Sequence, residues 1–124
     1  MTLIRDTEAR RTETPAGVMT TFASPTQGGT SLSMWRVESA GGAAGPEHLI
    51  DAEQVWTFLE GAAAIRLDGE TLTVAKGDTV VMPADVVRQV SAGAEGFVAV
   101  VAASAGAQAS MPGSTDKMLP PWIA

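Results

Sequence analysis

The sequence predicts an all-β fold, built as an antiparallel sandwich or barrel. Short stretches rich in Val, Thr, Phe and Trp recur about every ten residues between Gly, Pro and Asp, a spacing typical of such folds. No segment carries the apolar repeat of a long amphipathic helix. A chain of 124 residues is long enough for one domain with one core.

The predicted strands are short and bounded by turn residues. Asp68-Gly69 is the strongest hairpin signal, because this dipeptide adopts the left-handed backbone that a two-residue turn requires. Glu60-Gly61 and Lys76-Gly77-Asp78 are also predicted turns. Outside the central segment, the predicted strands are residues 18–23, 31–38, 62–67, 70–74, 79–82, 86–90 and 97–103.

The two ends of the chain differ in composition from its centre. Residues 1–14 are charged and poor in apolar groups, so we expect an arm that is loosely held or lies along a neighbouring subunit. Residues 15–103 are the predicted barrel. Residues 104–124 are a tail whose Trp122 and Ile123 are expected to pack on the barrel or on a partner subunit.

Composition excludes several classes of function. The net charge of −6 argues against a nucleic-acid partner, since phosphate binding depends on clustered cations. The absence of cysteine excludes disulfides, thiolate catalysis and sulfur-ligated metals. Apolar runs are far shorter than the roughly 20 residues of a membrane span, and the first residues lack the apolar region of a signal peptide. We therefore expect a cytoplasmic protein with no membrane partner.

The segment 42–61 carries the only histidine, His48. If the segment is extended, the even-numbered side chains share one face with His48, because successive side chains in a strand point to opposite sides. These side chains are Ile50, Ala52, Gln54, Trp56 and Phe58. One face thus combines apolar groups with one imidazole and one amide, which predicts the wall of an internal cavity. The acidic groups Glu47, Asp51 and Glu53 are interpreted as a solvated face.

Two sets of residues with matching spacing resemble the motifs of the cupin superfamily. The first set is Gly42, His48, Ile50, Gln54 and Gly61, and the second is Gly77, Pro83, Asp85, Arg88 and Ala92. The resemblance covers roughly residues 42–92. It implies an antiparallel double-stranded β-helix, the jelly-roll barrel of the cupins. It also implies a homodimer, because many single-domain cupins pair their sheets.

Four positions of these motifs hold the metal in metal-binding cupins, and this chain departs from the pattern there. The positions read His48, Ile50, Gln54 and Arg88. Isoleucine has no lone pair, and arginine is a donor that stays protonated and repels a cation. One imidazole and one neutral amide fall short of the three or four ligands of a transition-metal site. We expect no cofactor, with a divalent metal at His48 and Gln54 as the lesser alternative.

Without metal, the same positions suggest an organic ligand. Inside a barrel, Arg88 needs an anionic partner, so we predict that it clamps an anionic or carbonyl-bearing small molecule with Gln54. A cation nearby and an apolar wall lower the pKa of His48, which favours the neutral base. The predicted catalytic residues are therefore His48, Gln54 and Arg88. The predicted substrate-binding residues are Trp56, Phe58, Met82, Ile50, Trp35 and Arg36.

Three hypotheses of function follow. The first is a metal-independent isomerase, cyclase or lyase that acts on a small carbonyl compound with His48 as base. The alternative is a cupin that binds a small molecule without catalysis, and the second alternative is a metal-dependent cupin oxygenase. Structural roles also remain open, since Gln54 could bind backbone and Arg88 could extend to the surface.

Overall fold

The computed structural model describes all residues, 1–124, and confirms the predicted antiparallel all-β fold. A short 3-10 helix spans Asp6–Glu8, and no helix is long and apolar enough to cross a membrane. The strands in chain order are β1 (Arg10–Thr14), β2 (Gly17–Ala23), β3 (Leu32–Ser39), β4 (Leu49–Ile50), β5 (Gln54–Leu67), β6 (Glu70–Ala75), β7 (Thr79–Met82), β8 (Arg88–Ser104) and β9 (Ala109–Ser110).

The main sheet folds back on itself through its two longest strands. Its order is β1-β2-β3-β8-β5-β6, and β7 also pairs with β5, while β4 and β9 form a separate small sheet. The first half of β5 pairs with β7 and with the second half of β8, and the second half of β5 pairs with β6 and with the first half of β8. The result is a jelly-roll barrel.

The bend in β5 corrects two sequence predictions. The chain does not turn back at Glu60-Gly61, because β5 continues through these residues with register shifts at the bend. Residues 86–90 and 97–103 are likewise not separate strands, since most of both ranges belongs to β8. At the bend, Gly61 has a φ of 75°, and a Cβ there would lie 2.0 Å from the backbone oxygen of Gly96. The absence of a side chain lets the two long strands cross closely.

The predicted central strand is interrupted, but its alternation is confirmed. Residues 51–53 bend between β4 and β5 because β4 pairs with β9 in the tail. On the predicted inner face Ile50, Gln54 and Phe58 are 3%, 3% and 0% exposed, whereas Val55 and Leu59 are exposed. The even-numbered side chains therefore face the interior both before and after the bend.

Both ends of the chain are attached to the barrel. Arg10–Thr14 pairs with β2 as an edge strand, which corrects the expectation of a loosely held arm for those residues. The open edge of β2 supplies backbone partners that composition alone does not reveal. At the other end Ile123 is 1% exposed and belongs to the same hydrophobic core as Trp35 and Phe58.

Candidate functional site

One row of cross-strand partners crosses the interior at one end of the barrel. Ser33 pairs with Ala103, Ala103 pairs with Gln54, and Gln54 pairs with Met82. All four side chains are buried. Since directly opposed residues in antiparallel strands point to the same face, the row forms one continuous wall with Gln54 in its middle.

Arg88 lies beside this row and not at the surface. It is 1% exposed at the start of β8. Its Nη2 donates to the backbone oxygen of Pro83, which directly follows Met82 of the row. Its Nε and Nη2 donate to the backbone oxygen of Val86, at 3.2 and 3.1 Å. These bonds hold the guanidinium under the loop that joins β7 to β8.

No acidic side chain forms an ion pair with Arg88. None of the four ion pairs in the structure includes it, and its Nη1 is buried without a hydrogen-bond partner. Burial lowers the pKa of Arg88, and the charge of Asp85 opposes that shift. A buried cation without a counter-charge costs several kcal/mol. The arrangement thus leaves two N–H donors and a positive charge available to an anion.

His48 is the direct backbone neighbour of Arg88. The amide of each donates to the carbonyl oxygen of the other, at 3.0 and 2.9 Å, so their side chains share a face. The ring is half-buried, and its Nδ1 lies 2.9 Å from the backbone oxygen of Pro46. A carbonyl oxygen can only accept, so Nδ1 carries the proton. The neutral ring then has its lone pair on Nε2.

The environment keeps the imidazole neutral. Burial lowers the pKa of His48 most, the hydrogen bond to Pro46 raises it, and the charge of Arg88 lowers it further, with a net downward shift. Neutral His48 can therefore act as a base at Nε2 at neutral pH.

We expect the free energy of unfolding to fall as the pH decreases below 6.5, the ordinary histidine pKa. The unfolded chain binds the proton at a higher pH than the folded protein does, so stability rises with pH through that window and levels off above it. Urea unfolding at several pH values measures the profile. His48→Asn keeps a donor for Pro46. This variant should flatten the pH profile of stability, because the chain has no other histidine. A wild-type profile that is already flat just below pH 6.5 would contradict the shift.

The side chain of Gln54 is buried, and its amide oxygen is engaged within the protein. Its Oε1 accepts the indole N–H of Trp56 at 3.1 Å. Because an indole nitrogen can only donate, this bond fixes the orientation of the amide. The Nε2 group is the donor end of this amide, so Gln54 can offer a donor to the site.

The donor set does not fit a divalent metal. No three or more His, Cys, Asp or Glu side chains cluster anywhere in the structure. At the motif positions Ile50 offers no donor, the oxygen of Gln54 is already engaged with Trp56, and Arg88 brings a positive charge. Only the imidazole of His48 is a good ligand.

The predicted substrate-binding residues fall into two groups. Five of them are members of the hydrophobic core, namely Trp56, Phe58, Met82, Ile50 and Trp35. Arg36 lies on the outer face, where its Nε is 2.8 Å from Glu38 Oε1 and its guanidinium lies over the ring of Phe22. This corrects the prediction for Arg36, since adjacent residues on β3 must point to opposite faces.

The larger cavity in the structure does not coincide with these polar groups. This cavity of about 370 Å³ lies near the bend, lined in part by Glu60, Gly61 and Phe97. Another of about 30 Å³ is lined in part by Arg88. His48 and Gln54 line neither of them. Neither of these two cavities is thus the one that the sequence predicted beside His48 and Gln54.

Sequence reasoning missed the residues that attach the tail near the site. Asp51, interpreted as solvated, accepts the amide N–H of Gln108 at 2.7 Å and lies 3.3 Å from the ammonium of Lys117. These partners, the Gln108 bond first, lower the pKa of Asp51. Ser33 binds the backbone of Ile123. The only sequence signal was a lone serine on a strand face that proves to be buried.

Comparison with known proteins agrees with this architecture. An antiparallel barrel with a few polar groups set in an apolar interior is a common ligand-binding design. A family model described as Cupin domain matches residues 35–103. The match covers more than half of the 124 residues, so the chain belongs to the cupin family and the resemblance seen in its motifs is confirmed. No curated protein matches the chain.

Solved structures show the same fold. Salicylate 1,2-dioxygenase from Pseudoaminobacter salicylatoxidans, in its adduct with gentisate, has a TM-score of 0.72 and 23% identity, over 85% of this chain and 31% of the other. Oxalate decarboxylase from Bacillus subtilis has a TM-score of 0.72 and 15% identity, over 82% of this chain and 28% of the other. A further structure of that decarboxylase is described for its Mn(II) centers. At these identities the likeness concerns the fold.

Proposed function

We propose that this cupin binds a small organic carboxylate at the interior site, which we define as His48, Gln54 and Arg88. The observation that carries the proposal is the buried guanidinium of Arg88, whose Nη1 has no hydrogen-bond partner and which takes part in none of the ion pairs. A carboxylate supplies both an acceptor for Nη1 and a negative charge, because its oxygens accept charge-assisted N–H bonds.

The other two residues extend the same recognition. The Nε2 group of Gln54 supports a second oxygen of the ligand, since its own oxygen is held by Trp56. The apolar side chains of Trp56 and Met82 suit the hydrocarbon part of such a ligand. Salicylate, gentisate and oxalate, named for the similar solved structures, are also carboxylates.

We further propose that His48 supports proton transfer on a ligand that carries a carbonyl group. A neutral imidazole with its lone pair at Nε2 is a suitable base, and Arg88 with Gln54 would stabilise the oxyanion that forms. This is the chemistry of the isomerase, cyclase or lyase expected from the sequence. Binding without turnover is the non-catalytic form of the same proposal.

A second candidate is a metal-dependent cupin oxygenase. The similar solved structures favour it over the metal-independent enzyme, because they are a dioxygenase and a decarboxylase, and the latter is described with Mn(II) centers. The donor set argues against it, since His48 is the one good ligand at the motif positions. No step of the proposed proton transfer depends on a metal.

Calorimetric titration of chelator-treated protein tests the proposal. Salicylate and oxalate are expected to bind at least about 30-fold more tightly than salicylamide and oxamide, because a buried charge pair is worth about 2 kcal/mol or more. The neutral amides are matched in size, so the ratio isolates the charge.

Metal addition separates the two candidates. Binding that needs added Mn(II) or iron would favour the oxygenase, and equal affinity for acids and amides would contradict the role of Arg88.

Proton exchange tests the proposed reaction. In deuterium oxide, wild type should catalyse exchange of the methyl protons of pyruvate, and His48→Asn should not. If His48→Asn still catalyses the exchange, His48 is not the base.

The homodimer stays a prediction. Sedimentation measures the oligomeric state that tests it.

A further inference from the structure

We propose that residues 120–124, which we call the C-terminal plug, close the interior site, and that Ile123 limits the size of the ligand admitted there. This inference rests on the proposed function for the identity of the ligand. The position of the plug rests on contacts alone.

Three consecutive carbonyl groups of the plug are held by hydroxyl groups of β2, β3 and the residue after β2. Thr21 donates to the oxygen of Trp122 at 2.8 Å, Ser33 donates to that of Ile123 at 2.7 Å, and Ser24 donates to that of Ala124 at 2.7 Å. All three hydroxyl-bearing residues are 0% exposed. The plug thus lies in a pocket shaped for its backbone.

These hydroxyl groups belong to the wall of the interior site. Ser33 is in the same cross-strand row as Gln54, through Ala103. Thr21 pairs with Trp35, which reaches Trp56 through Val101 in the adjacent row. The plug therefore lies on the inner face of the sheet, at the end of the barrel that holds the site.

Ile123 fills interior space at this end. Its side chain is 1% exposed and lies in the same buried cluster as Trp56, Met82 and Ile50. His48 and Gln54 line neither the larger nor the smaller cavity. Space for a ligand larger than a few atoms must come from a side chain that can leave. Ile123 and the much smaller Ala107 are the core residues that lie in no strand, so Ile123 is the bulky one of the two.

The contacts that attach the plug are of a kind that can break while the barrel stays folded. Residues 120–124 form no strand, and their backbone bonds are a local turn from Ile123 and Ala124 to Pro120. Side-chain hydroxyl groups, a hydrogen bond from the guanidinium of Arg10 to Ala124, and the buried side chains of Pro120 and Ile123 hold them in place. The core strands, by contrast, are joined by continuous ladders that open only with the fold.

A size series of carboxylates tests the limit. Ile123→Ala should bind 1-naphthoate about 10-fold more tightly than wild type and acetate about equally, because it removes bulk without touching Arg88. Leu119→Ala is the matched control, since Leu119 is an exposed residue of the same tail. Equal gains for both ligands, or a gain in the control, would overturn the size limit.

Exchange of the Trp56 indole proton tests the plug without a ligand. Nuclear magnetic resonance should show exchange at least about 10-fold faster in Ile123→Ala and in the milder Ser33→Ala, while amides near Phe97 keep their wild-type rates. Unchanged Trp56 exchange in both variants would overturn the plug. If the exchange rises and no carboxylate binds to any variant, the plug stands and the proposed function fails.

Discussion

Gly61→Ala is expected to destabilise the barrel by more than about 4 kcal/mol, a loss reserved for severe steric or packing faults. The new Cβ would lie 2.0 Å from the oxygen of Gly96 and 2.8 Å from the Cα of Phe97, both backbone atoms that cannot rotate away. The positive φ of 75° adds a left-handed backbone cost of about 1–2 kcal/mol. Since a typical domain has only about 5–15 kcal/mol of stability, much of the variant should be unfolded. Urea denaturation followed by tryptophan fluorescence measures the loss.

Gly69→Ala is the matched control for this prediction. Gly69 has nearly the same φ, 78°, but nothing lies within 4 Å of a Cβ built there. This control should therefore lose only the backbone term of about 1–2 kcal/mol. Equal losses at the two positions would show that the close crossing of β5 and β8 does not depend on Gly61.

The contrast between these glycines shows what the sequence could reveal about the fold. Asp68-Gly69 was predicted correctly as a hairpin turn, because a turn is specified by its own residues. Gly61 was interpreted as a turn for the same reason, yet it permits a bend within one strand. Its role depends on Gly96, a distant residue brought close only by the fold. Local patterns predict strands well and long-range crossings poorly.

The candidate site also combines features that local patterns predict with features that depend on distant residues. The alternation from Ile50 to Phe58 predicted which side chains point inward, and the motif spacing added Arg88 from a separate strand. The face of β3 was not predictable, since both of its faces mix polar and apolar groups, and Arg36 proved to lie outside. The contact between Ser33 and Ile123 joins residues with no sequence pattern in common.

Arg88 has two roles that a single substitution can separate. Its Nε and Nη2 hold the carbonyl groups of Pro83 and Val86 and thereby the loop before β8. Its Nη1 has no hydrogen-bond partner, and its charge forms no ion pair. The carboxylate proposed above would use this second part of the side chain. The cost of burying the charge without an ion pair lowers the stability of the protein.

Arg88→Met is expected to weaken salicylate binding about 100-fold, or about 2.7 kcal/mol, while changing the free energy of unfolding by less than about 2 kcal/mol. Methionine leaves two carbonyl groups without donors, at about 1–3 kcal/mol each, but it also removes the desolvation cost of an unpaired cation, so the two effects on stability oppose each other. Arg66→Met is the control, because it causes the same change in net charge. Arg66 is exposed on β5, opposite Gln89, the residue that follows Arg88. This control should have little effect on binding. Titration calorimetry and urea unfolding give the two quantities for each variant. If Arg88→Met binds salicylate as wild type does and is strongly destabilised, Arg88 serves the loop alone and the anion site does not exist.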